Sequence, residues 1–424
     1  MRFIKIGIHS VSSQSGRSYL VDFLESGHKV YGYARESDHG KRFVDTINNQ
    51  GGIFLERPEN FNMKAPKLIE LGNDSVGHDL SKLAEDADLI VIAHPSHYLP
   101  TTIQQLKDAG IVENQIPIIL TPPRTFAVPY LWKILGEGYP FVSFSTCPYS
   151  CKAIGDGGVF IKRRKRSWLV SLEGRFNKKQ IQALEELFPQ ALYNHIPATT
   201  SVGNIGAVFH PGPYLLNYED IVKAQKENRE YSFYMEGIAR NEKAAAHLEL
   251  VDQIRLEIAS KLGLNVFGLK SAPNEERWKH IMDHLREKEI EANYDIEELR
   301  HIRHDYLREI NDSITSAQHW LDYTYGVSRI PGESLQLAIG RTPTYQKRSV
   351  PQIRYIEEDV PTGLIPMKAI GERLNIDITP IDELIELYNK YFPDYEPSDW
   401  RDLKDFSTDY IIDYLTGKFF EIVD

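Results

Sequence analysis

Cysteine is nearly absent: the 424 residues hold two, Cys147 and Cys151, in the stretch TCPYSC. So few thiols suit a reduced, structural pair in a reducing compartment. A redox pair is usually spaced C-x-x-C, one residue closer, and two thiols alone make a poor zinc site. Long apolar runs are also missing. No segment reaches the ~20 apolar residues that a membrane crossing needs. The opening MRFIKIGIHS lacks the shape of a signal peptide, because its apolar stretch is short and runs straight into serines. These absences lead to the expectation of a cytoplasmic protein with no membrane partner. Nor is there an excess of basic charge: 49 Lys and Arg stand against 60 Asp and Glu, a net charge of −11. A general nucleic-acid or membrane-surface binder carries a basic face, so those classes are disfavoured. A few local Arg and Lys residues still suffice for a small anionic ligand. Internal repeats and low-complexity segments are lacking too.

What is present is an ordinary globular composition, 42% hydrophobic and 26% charged, in a chain long enough for two or three domains. Up to about residue 195, apolar runs that read as buried strands recur at Phe3–Ile8, Lys29–Tyr33, Leu89–Ala93, Pro117–Leu120, Phe141–Ser145 and Trp168–Leu172. Helical patterns such as Arg17–Glu25 and Thr102–Ala109 fall between them. This alternation predicts an α/β fold, a Rossmann-like doubly wound parallel sheet. The basic run Lys162–Arg166 reads as a solvated hairpin, with a phosphate contact as the alternative. After His195–Asn204 helical periodicity dominates, and Lys243–Leu262 is an amphipathic helix ended by Gly263. The expected division is 1–198 for a nucleotide-binding domain and 199–424 for a mainly α-helical second domain.

The stretch KIGIHSVSSQSGRSYLVDFLESGHKVYGYARES, Lys5–Ser37, has the rhythm of strand, turn, helix and second strand that binds a dinucleotide. Two of the three glycines of such a turn are missing. With Gly16 as the third, which lets helix pack on strand, the first two positions fall on Val11 and Ser13. Ser10, Ser12, Ser13 and Ser15 surround it, and backbone N–H groups at a helix start still attract an anion. Ser13 and Gly16 are therefore candidate coenzyme contacts. Arg35, nineteen residues after Gly16, stands where an NAD site usually has an acid, and an arginine suits the 2′-phosphate of NADP. Lys41 and Arg42 follow one helical turn later and could close on the same phosphate. The plain alternative is a strand-end arginine in water. His94 and His97, in the loop after a buried strand, fall near the coenzyme as polar walls more readily than as catalysts.

Two further stretches stand out, SVGNIGAVFHPGPYLLN from Ser201 and QIRYIEEDVPTGLIPMKAIGERLNIDITPIDELI from Gln352. They resemble the opine dehydrogenases, octopine dehydrogenase included, which carry a similar Asn-x5-His-Pro segment and a similar R-Y-x-x-E-D-x-P-x-G-L segment. Phe233–Leu264 looks like that family's helical core. Around Arg35 and Lys41 the chain is more similar to the NADPH-using staphylopine dehydrogenase branch. The resemblance implies reductive condensation of an amino acid with an α-keto acid, commonly pyruvate, through an imine reduced by NADPH in preference to NADH. It implies His210 as the acid–base and Asp359 as its orienting carboxylate, with no metal required. Carbonyl addition and dehydration near neutral pH suit histidine, and a carboxylate fixes its tautomer. Arg354 can clamp a substrate carboxylate with its planar fork. Asn204 can contact substrate or the nicotinamide amide, or merely cap the following helix. Pro211 is expected to hold His210 extended. A core histidine and a surface Arg354–Asp359 pair are the plainer alternatives. The pairs His280/His284 and His301/His304, in the highly charged Glu275–Leu307, have zinc-like spacing but suit a solvated face better. A homodimer is a further expectation. Two other functions stay open: reduction of a keto acid or ketone without amine, and an NADP-binding regulator in which catalysis has lapsed.

Overall fold

The computed structural model describes residues 4–58, 66–72, 74–165, 167–268, 307–325, 333–351 and 353–424. His280, His284, His301 and His304 lie outside the described residues, as do Arg166 and all of 275–306. The chain divides into two compact units. The first comprises Met1–Pro123, Val128–His195 and Phe419–Asp424; the second comprises Arg124–Ala127 and Ile196–Lys418. Among the described residues, no helix is long and apolar enough to cross a membrane.

The first unit is the expected doubly wound α/β domain. Its eight-stranded sheet runs Ala191–Asn194, Trp168–Glu173, Phe141–Phe144, Ile118–Leu120, Leu89–Ile92, Lys5–His9, Lys29–Tyr33, Val76–Gly77. All neighbours are parallel except Trp168–Glu173 against Phe141–Phe144. The inner strands LIVI, IIL and FVSF are buried along their whole length, as strands covered on both faces must be. Chain order reverses beside Lys5–His9, whose neighbours are the second strand on one side and Leu89–Ile92 on the other. Such a switch point opens a crevice at the strands' C-terminal ends, where ligands bind in this kind of sheet.

A second sheet of four strands, Lys67–Glu70, Gly52–Glu56, Gly158–Arg164 and Tyr149–Ile154, has no counterpart in the strand pattern read from sequence. Lys162–Arg164 are not a hairpin tip but the end of the strand Gly158–Arg164, paired antiparallel with Tyr149–Ile154. The tip is Gly155–Gly157 instead, and Arg164 pairs with Asp22 at 3.2 Å. Burial brings the following Lys165 ammonium down to about 8.

The turn between the first strand and helix Gln14–Glu25 stays compact without its glycines. Ser10 takes the left-handed conformation, φ 65°, that a glycine would adopt at less cost. Val11 occupies the first missing glycine position, fully buried. Its room comes from the neighbouring strand: a Cβ on Gly32 would lie 2.6 Å from Val11 Cγ2. Gly16 keeps its packing role, since a Cβ there would sit 2.4 Å from the Ser10 carbonyl oxygen. Arg17, also fully buried, ties the turn to the second sheet. Its Nε donates to the Ser12 carbonyl at 3.0 Å, and its Nη1 to those of Gly155 and Gly158 at 2.8 Å.

The second unit is built around helix Glu242–Lys261, capped by the Asn241 side chain and followed by Gly263 at φ 74°. Leu248, Val251, Leu256 and Ile258 form its buried stripe. The same helix buries Asp252 and Arg255, paired with each other; Arg255 also donates to the Thr315 carbonyl, and Asp252 accepts from the Ala317 amide. Short helices pack around it, among them Gly206–Phe209, Pro211–Leu216 and Ile365–Arg373, as does the longer Thr379–Tyr391.

Gly32→Ala should cost about 1–3 kcal/mol by overpacking against Val11. The double variant Val11→Ala/Gly32→Ala should recover much of that loss, giving non-additive unfolding midpoints. Additive midpoints would show that Gly32 does not make room for Val11.

Candidate active site

Helix Arg354–Asp359 carries the R-Y-x-x-E-D motif, and 3.6-residue periodicity places Arg354 with Glu358 and Tyr355 with Asp359. The helix continues into the wider turn Val360–Leu364. Gly363 lets that turn lie against Ala207, since a Cβ there would meet the Ala207 Cβ at 3.0 Å. Asp359 is thereby brought to His210: its Oδ2 lies 2.8 Å from the imidazole Nδ1. The Asp359 side chain is fully buried and that of His210 is 19% exposed. A carboxylate only accepts, so Nδ1 carries the proton and Nε2 is left with the lone pair; the tautomer is assigned from this bond. Nε2 has no hydrogen-bond partner among the described residues. The Tyr355 ring stacks on the imidazole, centroids 3.8 Å apart and planes inclined by 14°.

His210 is not extended, although Pro211 follows it. Its φ of −103° and ψ of −63° make it the hinge between helices Gly206–Phe209 and Pro211–Leu216. The bond from its amide to the Gly206 carbonyl, 3.0 Å, outweighs the usual preference of a residue before proline. Asn204 is buried and does not cap with its side chain; its Nδ2 donates to Thr125 Oγ1 at 3.3 Å.

Arg124, which no sequence motif singled out, completes the cluster. It sits at φ 67° in the four-residue excursion Arg124–Ala127 that belongs to the second unit. The excursion is pinned by Thr125 N to the Thr362 carbonyl at 3.0 Å, Phe126 N to Ser201 Oγ at 2.7 Å, and Arg401 Nη1 to the Thr125 carbonyl at 2.8 Å. Arg124 Nε lies 3.3 Å from Asp359 Oδ1 and 3.4 Å from Glu358 Oε1. Burial alone would lower the guanidinium pKa, but the charges of Asp359 and Glu358 outweigh it and hold the pKa above its ordinary value. Arg354 is placed differently: its side chain is 52% exposed, with Nε 3.6 Å from Glu358 Oε2. An arginine in a Pro-Pro loop after a strand has no periodicity to mark it, which is why sequence reasoning passed over Arg124.

In the first unit, Ser13 is the N-cap of helix Gln14–Glu25. Its hydroxyl accepts from Gly16 N at 2.9 Å and donates to the Ala93 carbonyl at 2.6 Å, so it is committed to the fold. The first-turn amides of Gln14 and Ser15 have no partner among the described residues, which leaves donors for an anion. Arg35 is exposed just beyond the strand Lys29–Tyr33, and Ser37 caps helix Asp38–Gln50. Lys41 is exposed, 3.9 Å from Glu36, whereas Arg42 turns to Asp156 at 3.4 Å. His94 has both ring nitrogens engaged, Nδ1 with the Pro95 carbonyl and Nε2 with Thr102 Oγ1, each at 2.8 Å. That makes it a wall. His97 is buried against Tyr98. His9, unremarked in the sequence because it ends a strand, is buried with its ring 5.0 Å from Tyr33 and 5.3 Å from His94. Burial, and secondarily His94, pushes its pKa well below 6.5. No cluster of three or more metal-ligating side chains occurs among the described residues.

A sequence model described as NAD/NADP octopine/nopaline dehydrogenase, alpha-helical domain, matches residues 197–392. The opine dehydrogenase of Arthrobacter sp. (strain 1C) is 24% identical over 352 residues, covering 81% of this chain and 80% of that protein. Among solved structures, octopine dehydrogenase in complex with NADH and agmatine is similar with a TM-score of 0.66 at 15% identity, 97% of this chain and 95% of that one being covered. Yersinopine dehydrogenase with NADP+ bound gives 0.61 at 14% identity, with 98% and 95% covered. The likeness in fold extends over nearly the whole chain.

Arg17→Met should strand the buried carbonyl of Gly158 and remove the bonds to the carbonyls of Ser12 and Gly155, at a cost of about 2–4 kcal/mol. The check is the thermal midpoint with and without coenzyme. An unmoved midpoint would mean that Arg17 does not brace the turn.

Proposed function

We propose that this chain, which belongs to the opine dehydrogenase family and is thus an NAD(P)H-dependent oxidoreductase acting on CH–NH bonds, condenses an amino acid with a pyruvate-like α-keto acid. NADPH is the reductant and the product is an N-(carboxyalkyl) amino acid. NAD(P)H-dependent reductive condensation is the family's general reaction; the substrates and the choice of NADPH are the proposal. The observation that carries it is the pair His210–Asp359, with Nδ1 held at 2.8 Å by a fully buried carboxylate and Nε2 unengaged among the described residues.

The sequence of events follows from that pair. The amine nitrogen attacks the keto carbon, and Nε2 of His210 takes the proton that the nitrogen sheds. Asp359 supports the imidazolium so formed without taking its proton. His210 passes the nitrogen's two protons in turn to the former keto oxygen, the first making the carbinolamine hydroxyl and the second expelling it as water, and the substrate imine remains. NADPH, when bound, would supply the hydride for the imine carbon, and a proton from solvent on the nitrogen completes the secondary amine. Tyr355, stacked on the ring, holds the imidazole plane through the exchange. Arg354 offers its half-exposed guanidinium to a substrate carboxylate, and Asn204 lines the same cluster.

For the coenzyme, the unpartnered amides of Gln14 and Ser15 receive the pyrophosphate, with Gly16 permitting the close helix and Ser13 shaping the turn. Arg35 and Lys41, both exposed beside the capped start of helix Asp38–Gln50, take the 2′-phosphate. His94 forms part of the wall. The unpaired Cys147 and Cys151 fit work in the cytoplasm.

NADPH oxidation should require an amino acid and an α-keto acid together, with the product's mass equal to that of the reduced condensate. Turnover on the keto compound alone would select a simple reductase instead. His210→Ala should lower kcat by about 100-fold or more while coenzyme affinity is kept. Arg35→Ala should weaken NADPH binding by about tenfold and leave NADH nearly unaltered. Equal losses for the two coenzymes would remove Arg35 from the 2′-phosphate.

A further inference from the structure

We infer that Arg124 is the receptor for the α-keto acid's carboxylate, a subsite distinct from the half-exposed Arg354. The inference rests on the condensation reading above and deepens it.

Three observations lead there. First, the guanidinium is anchored at one edge only. Its Nε is the nitrogen nearest both Asp359 and Glu358, at 3.3 and 3.4 Å. The two terminal amino groups have no hydrogen-bond partner among the described residues, although the side chain is only 11% exposed. A nearly buried arginine with most of its N–H donors unspent is a binding group rather than a finished structural tie. Second, one of those donors, Nη1, lies beside the edge of the His210 ring that Asp359 holds. A Cβ on Gly206 would lie 2.7 Å from Arg124 Nη1, 3.1 Å from Asn204 Oδ1 and 3.3 Å from His210 Nδ1. Guanidinium, amide and imidazole thus border one point, and any side chain at 206 would displace the arginine. An α-keto acid has its carboxylate one bond from its carbonyl carbon, so a carboxylate on the Nη end brings that carbonyl to the histidine. Third, the charges require an anion. With His210 neutral, Arg124 and Arg354 balance Glu358 and Asp359. When His210 carries the proton that expels water, the cluster gains a positive charge, which the keto acid's carboxylate cancels. Two carboxylates enter the product, and two guanidinium groups of unequal exposure are present. The inner one takes the keto acid, and Arg354 is left for the amino acid.

Oxalate, an unreactive mimic of the keto acid, separates this inference from the reaction itself. Its binding to the NADP+-loaded protein would be measured by calorimetry for the wild type, Arg124→Gln and Arg124→Lys. Arg124→Lys keeps a charge facing Glu358 and Asp359, so it reports even if the glutamine variant fails to fold. Both variants should lose oxalate affinity, by about thirtyfold for glutamine and about tenfold for lysine. In turnover the keto-acid KM should rise by similar factors, with the amino-acid KM within about threefold of wild type. The wild type's preference for pyruvate over pyruvamide should collapse. Variants that bind oxalate as the wild type does, a wild type that binds none, or a rise confined to the amino-acid KM would each overturn the assignment. Arg124-dependent oxalate binding in a protein that turns over no amino acid–keto acid pair would sink the condensation reading and leave the carboxylate receptor standing.

Discussion

Asp359 has no access to water and faces an imidazole on one oxygen and a guanidinium on the other. A carboxylate so placed is tolerable only because both neighbours are present; removing one partner of a buried pair typically costs about 3–5 kcal/mol. Glu358 is buried beside it, so two like charges adjoin in sequence and in space. Arg124 is the cation that makes this arrangement possible, and the two acids in turn keep it charged. The orientation of His210, its tautomer and the direction of its Nε2 all follow from this arrangement.

Local backbone devices hold the arrangement in place. Gly206 leaves the space that Arg124 Nη1 occupies, and Gly363 brings the turn after Asp359 against Ala207. Arg124 itself takes a left-handed conformation that a non-glycine residue adopts at a cost, met by the bonds that fix Thr125 and Phe126. Such strain over-determined by neighbours is typical where side chains must be aimed rather than merely packed.

The coenzyme turn obeys a related economy. Its shape requires close approach at several points, and glycine is one means to that end. Here Gly32 on the adjoining strand supplies the room that Val11 fills, Ser10 accepts the left-handed conformation, and buried Arg17 fastens the turn from behind. The short motif looks worn only when read by itself. Its missing glycines are a matter of where space is made.

The local pattern of the chain sufficed for the doubly wound sheet and the long helix of the second unit, features that depend on periodicity and on residues a few positions apart. The segments that hold His210 and Asp359 were marked by their resemblance to the opine dehydrogenases, not by periodicity. The strands of the second sheet were not legible, because their alternation is weak and a charged run such as Lys162–Arg164, solvent-exposed at Lys162 and Arg163 as expected, does not by itself mark a strand. The 2.8 Å approach of two side chains 149 positions apart was equally beyond local pattern. So was the departure of Arg124–Ala127 to the second unit. Residue types and spacing determine which groups can do chemistry. Which of them share a charge, a proton or a cavity is decided by contacts distant in sequence, and only folding creates those.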